Sequence, residues 1–343
     1  MKGENIRQRV FRESDLPQII ALRKRGAAIS FPGRKLDEKR FGERLSMIFA
    51  LVFQVLASLV FFSFSSFQFV CLANILWSIG KHLLDSVSLA AGANEAPKEQ
   101  WGRLLGFFEG ISRMGVVVGG LLPLLAISFL KVSHIYFITA VIYAASIIPL
   151  LSFKDKVFGK QNLKMSGSAR LFLLSALWSV SFEAHTIFLI VAKIQYGIAD
   201  TAILAIPLVS SIIVGLTSYK IGGLIDRFGF RKSLMASLLA MAALFSGWSL
   251  LGGLAILAVY VLLDLSISAA KKAYSAFVNS YIPDSERSAV NVKLVAFGHI
   301  GAGLSSLSAG LLWQSLGAAY AFAASVLAVA GMMVVIPVLF RDG

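Results

Sequence analysis

The chain has 343 residues, of which 57% are hydrophobic and 15% are charged, and its formal net charge at pH 7 is +14. With a mean hydropathy of +0.78, this composition excludes an ordinary soluble globular domain. The single cysteine, Cys71, excludes an internal disulfide and a cysteine-based metal cluster. Four scattered histidines without metal-binding spacing argue against a metal-centred enzyme.

Ten apolar stretches follow one another along the chain, each near the length of about 20 residues that a helix needs to cross the hydrocarbon core. Transmembrane strands would be about 9 to 11 residues long with alternating polarity, which does not dominate here. The sequence therefore predicts an all-α integral membrane protein. The predicted spans are 45–62, 66–90, 104–130, 133–153, 171–192, 201–221, 233–251, 254–278, 289–313 and 318–340.

Basic residues are concentrated between these spans and before the first one. Residues 1–46 contain twelve Lys or Arg against six acidic residues, and residues 154–170 contain five basic residues against Asp155 alone. The opposite connections are short and nearly uncharged, so the positive-inside rule predicts that the charged loops and both termini face the cytoplasm of a cell membrane. The positive charge thus indicates topology and contact with anionic lipids, and no nucleic-acid partner is expected.

A weak internal repeat divides the chain. Asp37 and Asp226 each follow a glycine by four residues, in "GRKLDEKRFGERL" and "GGLIDRFGFRKSL", and two spans later each copy has an arginine, Arg103 or Arg287. Such repeats are common in secondary transporters. The predicted organisation is a basic cytoplasmic N-terminal segment at 1–44, a bundle of four spans at 45–153, a cytoplasmic linker at 154–170 and a bundle of six spans at 171–343.

The second copy of the repeat, "GGLIDRFGFRK", resembles the loop motif of the major facilitator superfamily, G-x-x-x-D-R/K-x-G-x-R/K-R/K. The matching residues are Gly222, Asp226, Arg227, Gly229, Arg231 and Lys232. The resemblance extends over about residues 33–340 and implies two helical bundles that rock about a midplane site. It also implies that Asp226 forms a cytoplasmic gate contact between helices of opposite bundles, with Arg103 and Arg287 as candidate partners.

Members of that family usually have twelve helices in two bundles of six, whereas only four spans precede the linker here. The ten spans would then correspond to the third through twelfth helices. We therefore expect a two-bundle fold of the major facilitator type with about ten transmembrane helices, four in the first bundle and six in the second, that is truncated at its N-terminus. A genuine ten-helix form is the alternative.

Several ionisable residues fall inside the predicted spans, where charge costs roughly 2.5 to 3.5 kcal/mol and usually faces a partner or water. Trp77, Lys81 and Asp85 share one helical stripe. Glu109 and Arg113 are four residues apart and can pair within their own helix. Both charged pairs are interpreted either as cavity-lining groups or as structural ion pairs, and Trp77 either as a residue that stacks on substrate or as packing.

Glu183 and Asp264 lie near the midplane of their predicted spans with no opposite charge one helical turn away. A carboxylate that binds a proton in one state and releases it in the other would couple solute movement to a proton gradient. His185 can assist, because imidazole titrates in the useful range. We predict these three residues as coupling groups in a transport cavity.

The residues and the resemblance together predict a secondary active transporter, or permease, that moves a small organic solute by alternating access with proton coupling. We expect it to act as a monomer and to need no cofactor or metal. The alternative is a non-transporting membrane remnant or scaffold of the same family. A membrane enzyme or a channel is disfavoured, because the sequence has neither a catalytic cluster with recognisable spacing nor a repeated filter loop.

Overall fold

The computed structural model of the protein describes residues 42–64, 66–95, 97–126, 129–152, 168–248, 255–283 and 286–340. Within these ranges the chain is helical, with short turns and no strand. Most of the predicted basic segment 1–44 and most of the predicted linker 154–170 lie outside the described residues. The predicted all-α architecture is confirmed.

Eleven α-helices occupy the described ranges, and a 3-10 turn at Lys98–Gln100 precedes the third. They are α1 (Glu43–Ser63), α2 (Phe67–Glu95), α3 (Trp101–Ala126), α4 (Val132–Ala145), α5 (Ile147–Leu151), α6 (Ser168–Tyr196), α7 (Asp200–Phe228), α8 (Phe230–Gly247), α9 (Ala255–Ser280), α10 (Arg287–Leu316) and α11 (Ala318–Leu339). Each predicted span overlaps one helix, except that 133–153 contains both α4 and α5. Pro149 accounts for the break between these two, because it cannot donate a hydrogen bond to Ala145 and its ring crowds that carbonyl.

Seven stretches of the described residues are long and apolar enough to cross a membrane: α1, α2, α3, α4 with α5, α7, α10 and α11. They establish a multi-pass membrane protein. Helix α9 falls outside this set because it contains Asp264, Lys271 and Lys272, and the apolar part of α6 covers only Ala169–Ser181. The count of ten spans therefore stays a prediction.

The helices pack in groups that are joined by contacts between distant parts of the chain. Helix α1 packs on α2 and α4, while α6 packs on α10 and α11, and α8 on α9 and α11. Aromatic rings fill the interior of the group formed by α6, α8, α9, α10 and α11. The ring centroids of Trp248 and Phe322, for example, are 4.4 Å apart. Helix α3 packs extensively on α7, and α2 packs on α10, so these two pairs connect the residues before 153 with those after 167.

The α3–α7 contact is a glycine seam in which the two backbones approach closely. A Cβ atom at Gly106 would meet the backbone carbonyl of Ser218, and a Cβ atom at Gly222 would meet the backbone of Gly102. Small residues at four-residue spacing permit such close approach of helices. The seam comprises Gly102, Gly106 and Gly110 on α3 and Gly215, Ser218 and Gly222 on α7.

Two pairs of helices are joined by a single glycine. Gly229 lies between α7 and α8 with φ +86°, and Gly317 lies between α10 and α11 with φ +99°. Both have an extended ψ, a combination that residues with a Cβ atom rarely adopt. Each glycine amide also donates a hydrogen bond back to the preceding helix, to Ile225 and Trp313 respectively.

Candidate functional site

Arg113 lies at the centre of a charged cluster between α3 and α9. Its Nε donates a hydrogen bond to Glu109 Oε1 at 2.9 Å, one helical turn away. Its two terminal nitrogens donate to both carboxylate oxygens of Asp264, at 2.9 and 3.1 Å. This bidentate geometry is the strong form of an arginine–carboxylate pair. One guanidinium thus links two carboxylates, one on its own helix and one on a helix about 150 residues later in the chain.

Two further side chains complete this cluster. Ser210 of α7, which is fully buried, donates its hydroxyl to Asp264 Oδ2. The ammonium group of Lys271 lies 3.9 Å from Glu109 Oε2. We refer to Glu109, Arg113, Ser210, Asp264 and Lys271 as the Arg113 cluster. Because Asp264 is only 4% exposed, a negative charge on it is stabilised by these partners rather than by water.

Lys272 adds a buried positive charge to this region. Its side chain is buried, and its ammonium group donates to the carbonyl and the hydroxyl of Ser268. Lys271 and Lys272 were not among the predicted site residues, because lysines near the end of a span often extend their charge toward water. Lys272 lies four residues after Ser268, and Lys271 lies seven residues after Asp264. These spacings place each lysine on the same helical face as the earlier residue.

His185, one of the predicted coupling groups, lies close enough to Asp264 and Arg113 to interact electrostatically with both. Its ring stacks on Tyr260 with centroids 4.6 Å apart, and Nε2 is buried without a hydrogen-bond partner among the described residues. Glu183, two residues earlier in α6, has a side chain that lies outside the described residues. Its predicted place in the cavity therefore stays a prediction.

The predicted stripe on α2 lies apart from the Arg113 cluster. Lys81 and Asp85 form the expected pair within the helix, with 2.7 Å between Nζ and Oδ2, and their side chains are 40% and 50% exposed. Trp77 is 39% exposed on the same helix. An exposed pair of this kind contributes little to stability, so both interpretations of these residues stay open.

Asp226 joins the last turn of α7 to the first turn of α3. Its carboxylate accepts hydrogen bonds from the backbone amides of Gly102, at 2.6 Å, and Arg103, at 3.0 Å. Amides at a helix N-terminus have no partner within the helix, and the helix dipole favours an anion there. We call these three residues the Asp226 latch. The sequence indicated Arg103 through its guanidinium, whereas the hydrogen bond uses its amide.

Arg287 lies beside the latch at the first position of α10. Its side chain is fully buried, and its guanidinium carbon lies 4.8 Å from the centre of the Trp101 ring. A guanidinium over an indole face is a favourable cation–π arrangement. Trp101 is the first residue of α3, so Arg287 and Asp226 both contact the start of the same helix.

The remaining motif residues surround the joint between α7 and α8. Gly222 belongs to the glycine seam, and Gly229 is the joint itself. Arg231 donates to the backbone carbonyl of Phe340 at 3.2 Å, which ties the start of α8 to the end of α11. Arg227 packs over the ring of Phe228, and Lys232 is exposed.

Comparison with known proteins adds a family and a set of similar folds. The model of the family described as Major Facilitator Superfamily matches residues 26–263, which is more than half of the chain. No curated protein sequence matches the chain.

Three solved transporter structures illustrate the similarity of fold. The human organic anion transporter TETRAN has a TM-score of 0.71 at 16% identity, and the alignment covers 86% of this chain and 77% of the TETRAN chain. FucP, in the outward conformation, has a TM-score of 0.71 at 13% identity, covering 89% and 84%. The proton:xylose symporter XylE, bound to 6-bromo-6-deoxy-D-glucose, has a TM-score of 0.72 at 12% identity, covering 87% and 80%. At these identities the likeness concerns the fold alone.

Proposed function

Because the chain belongs to the major facilitator superfamily, we propose that it is a secondary active transporter that moves a small organic solute by alternating access. The observation that carries this proposal is the Arg113 cluster, in which charged side chains meet between α3, which is long and apolar enough to cross a membrane, and α9, which is a predicted span. Charge buried in a membrane is costly and usually marks a substrate or ion pathway. The two bundles would comprise 45–153 and 171–343.

Proton coupling would arise at Asp264. While this carboxylate is ionised, the bidentate contact with Arg113 holds α9 against α3. A proton on Asp264 cancels its charge and weakens the contact, and Arg113 keeps Glu109 as its remaining anionic partner. Proton binding would thus loosen α9 from α3 at the depth where solute passes. Glu183 and His185 on α6 are the other proposed coupling groups.

The Asp226 latch would act as the gate at the cytoplasmic end. The basic residues that flank it, including Arg103, Arg227 and Arg231, support a cytoplasmic location for this end by the positive-inside rule. With the latch formed, α3 and α7 are held together at that end. Release of the two amides from Asp226 would accompany opening toward the cytoplasm. We propose that the chain works in this way as a monomer in the cell membrane, with both termini cytoplasmic.

A reconstituted assay tests the proposal. Purified protein in proteoliposomes that contain the pH dye pyranine would be exposed to a panel of sugars, amino acids, organic anions and organic cations. We expect at least one solute to cross the membrane and to move protons with it. Asp264→Asn and Glu183→Gln should each abolish the dependence of transport on the pH gradient.

Two outcomes would count against parts of the proposal. Solute movement that ignores the gradient in the unaltered protein would remove proton coupling but leave transport. Absence of movement for every solute, in protein that is folded and inserted, would favour the non-transporting scaffold. Lys131→Gln, at an exposed position between α3 and α4, serves as the control because it alters charge far from the proposed coupling groups.

A further inference from the structure

Two histidines from distant parts of the chain meet between α2 and α10. His82 Nδ1 and His299 Nε2 are 2.8 Å apart, and the ring centroids are 3.5 Å apart. At this distance one of the two nitrogens carries a proton and donates it to the lone pair of the other. The contact is therefore a hydrogen bond whose existence depends on the number of protons that the two rings hold.

The pair lies deep in the membrane-spanning part of both helices. His82 precedes the end of α2 at Glu95 by about 20 Å, and His299 follows the start of α10 at Arg287 by about 18 Å, at 1.5 Å per residue. Helices α2 and α10 run in opposite directions, so the two rings lie at a similar distance from the Asp226 latch end. His82 is partly buried and His299 is exposed, so the protein does not enclose the pair.

The charged groups that act on the pair come from two helices. Lys81 and Asp85 lie on α2 and are bound to each other, while Lys271 reaches toward His82 from α9. These three residues are the charged side chains that act on the two rings. Lys271 also belongs to the Arg113 cluster, so the histidine pair and that cluster are electrostatic neighbours.

We propose that His82 and His299 form a proton-binding site that joins α2 to α10 when it holds no extra proton or one, and separates them when it holds two. In the neutral pair the donor ring has one free nitrogen, which takes the first extra proton and makes the hydrogen bond charge-assisted. The second proton has only one place left, the nitrogen that accepts the hydrogen bond. Both rings are then cationic, with N–H groups facing each other, and the contact is lost.

The pair differs from the proposed coupling groups Asp264 and Glu183 in where it acts. It connects α2 with α10, whereas Asp264 connects α9 with α3. The proton-dependent separation of α2 from α10 is a property of the folded chain and does not rest on the proposed transport function. Because the second proton must join a pair that already carries one positive charge, the separation should appear as the pH falls through and below the range of about 5 to 8 in which an isolated imidazole changes charge.

Distance measurements between spin labels test the proposal. Labels would be attached through Phe67→Cys and Leu316→Cys, two exposed positions at the start of α2 and the end of α10, in a Cys71→Ser background in nanodiscs. We expect a second distance population that grows as the pH falls from about 8 to below about 5. His82→Gln and His299→Gln should each abolish this growth, because glutamine can hydrogen bond but does not titrate in this range.

His134→Gln is the matched control, since His134 lies on α4 and packs near Phe62, away from the pair. It should leave the pH response unchanged. A protein with both histidines present that shows one unchanged distance across the pH range would overturn the proposal without any variant. The same pH response in the double variant His82→Gln/His299→Gln would overturn it as well. Neither result would bear on whether the chain transports a solute.

Discussion

Arg113 is the residue on which the central charge cluster depends. Three of its donors serve two carboxylates, and one of these, Asp264, is almost completely buried. Breaking a buried ion pair from one side is much more costly than never having formed it, because the remaining charge has neither water nor a partner. The cluster therefore tolerates the removal of all its charges better than the removal of the cation alone.

Replacement of Arg113 by Met should reveal this asymmetry. We expect a loss of about 3 to 5 kcal/mol in the free energy of unfolding, because Glu109 and Asp264 lose their shared cation. Unfolding by SDS in mixed micelles measures this loss. The triple variant Glu109→Gln/Arg113→Met/Asp264→Asn should recover most of it. Equal stability of the single variant and the unaltered protein would show that the cluster is solvated rather than mutually dependent.

The Asp226 latch makes a second prediction at this scale. Asp226→Asn keeps the shape but removes the charge that faces two helix N-terminal amides, an interaction of about 1 kcal/mol, so latch closure should weaken about 5-fold. Transport in proteoliposomes should become slower or unbalanced, while membrane insertion is retained. Glu99→Gln removes an exposed carboxylate just before α3 and should change neither. Unchanged rates in Asp226→Asn would refute a gating role.

At the scale of the helix, the α3–α7 contact is set by the absence of side chains. Gly106 lies against the backbone of Ser218, whereas Gly119, further along the same helix, has no neighbouring atom within 4 Å of a Cβ position. The two glycines therefore have the same helical backbone but opposite surroundings. Their substitutions separate helix propensity from interhelical packing.

Gly106→Ala should destabilise the protein, because the added methyl group forces the α3 and α7 backbones apart. Gly119→Ala should be neutral or should stabilise by up to about 1 kcal/mol, since alanine favours the helix and finds open space. Thermal unfolding of both variants in the same detergent makes the comparison. Equal stabilisation by both alanines would mean that the α3 and α7 backbones lie further apart at the seam than the structure shows.

The joint at Gly229 supports a similar pair of substitutions. With φ at +86°, an alanine there should cost about 1 to 3 kcal/mol of backbone strain. Gly247→Ala, at the end of α8 with ordinary dihedral angles and open space, is the control and should cost little. Thermal unfolding again reports the difference. A Gly229→Ala variant as stable as the control would mean that the joint can relax to another conformation.

The helices could be predicted from the sequence because hydropathy over about 20 residues is a local property. The pairs Lys81–Asp85 and Glu109–Arg113 were equally accessible, since four-residue spacing places both partners on one face. The α3 side of the glycine seam also has a local pattern, since "GRLLGFFEG" has three glycines four residues apart. These features all lie within a single helix.

The contacts between helices could not be predicted in this way. Arg113 and Asp264 are about 150 residues apart, and His82 and His299 more than 200, so nothing in their local sequence indicates that they meet. Of the two residues that bind Asp226, Arg103 was a candidate partner from the sequence and Gly102 was not. Backbone amides are present at the start of every helix and leave no mark in the sequence.

For the molecule as a whole, the family resemblance drawn from the Asp226 motif is confirmed by the family match and by the similar folds. The proposed orientation in the membrane is inferred from the distribution of basic residues between the two ends of the helices. Basic residues cluster at the latch end, as at Lys98 and Arg103, whereas the turn between α3 and α4 around Phe129 has few charges. This asymmetry is the basis of the proposed cytoplasmic location of the latch.

Cysteine labelling in whole cells measures that orientation. In a Cys71→Ser background, a membrane-impermeant maleimide should label Phe129→Cys in intact cells and should label Glu99→Cys only after permeabilisation. Both positions are exposed, Phe129 at 88%, so access to reagent rather than burial decides the result. The reverse pattern would place the latch outside the cell and would overturn the proposed direction of gating.

The single-glycine joints have a consequence for biosynthesis. Gly229 and Gly317 share nearly the same backbone conformation, and each leaves no loop between its two helices, so we expect α7 with α8, and α10 with α11, to insert as helical hairpins. The Gly229 hairpin has arginines and a lysine at its tip, whereas "WQSLGAAY" around Gly317 has no charged residue. Translocating a charged tip is costly, and an uncharged one is not. We therefore expect the uncharged α10–α11 tip to cross the membrane during synthesis. The charged α7–α8 tip should remain on the same side of the membrane as the ribosome.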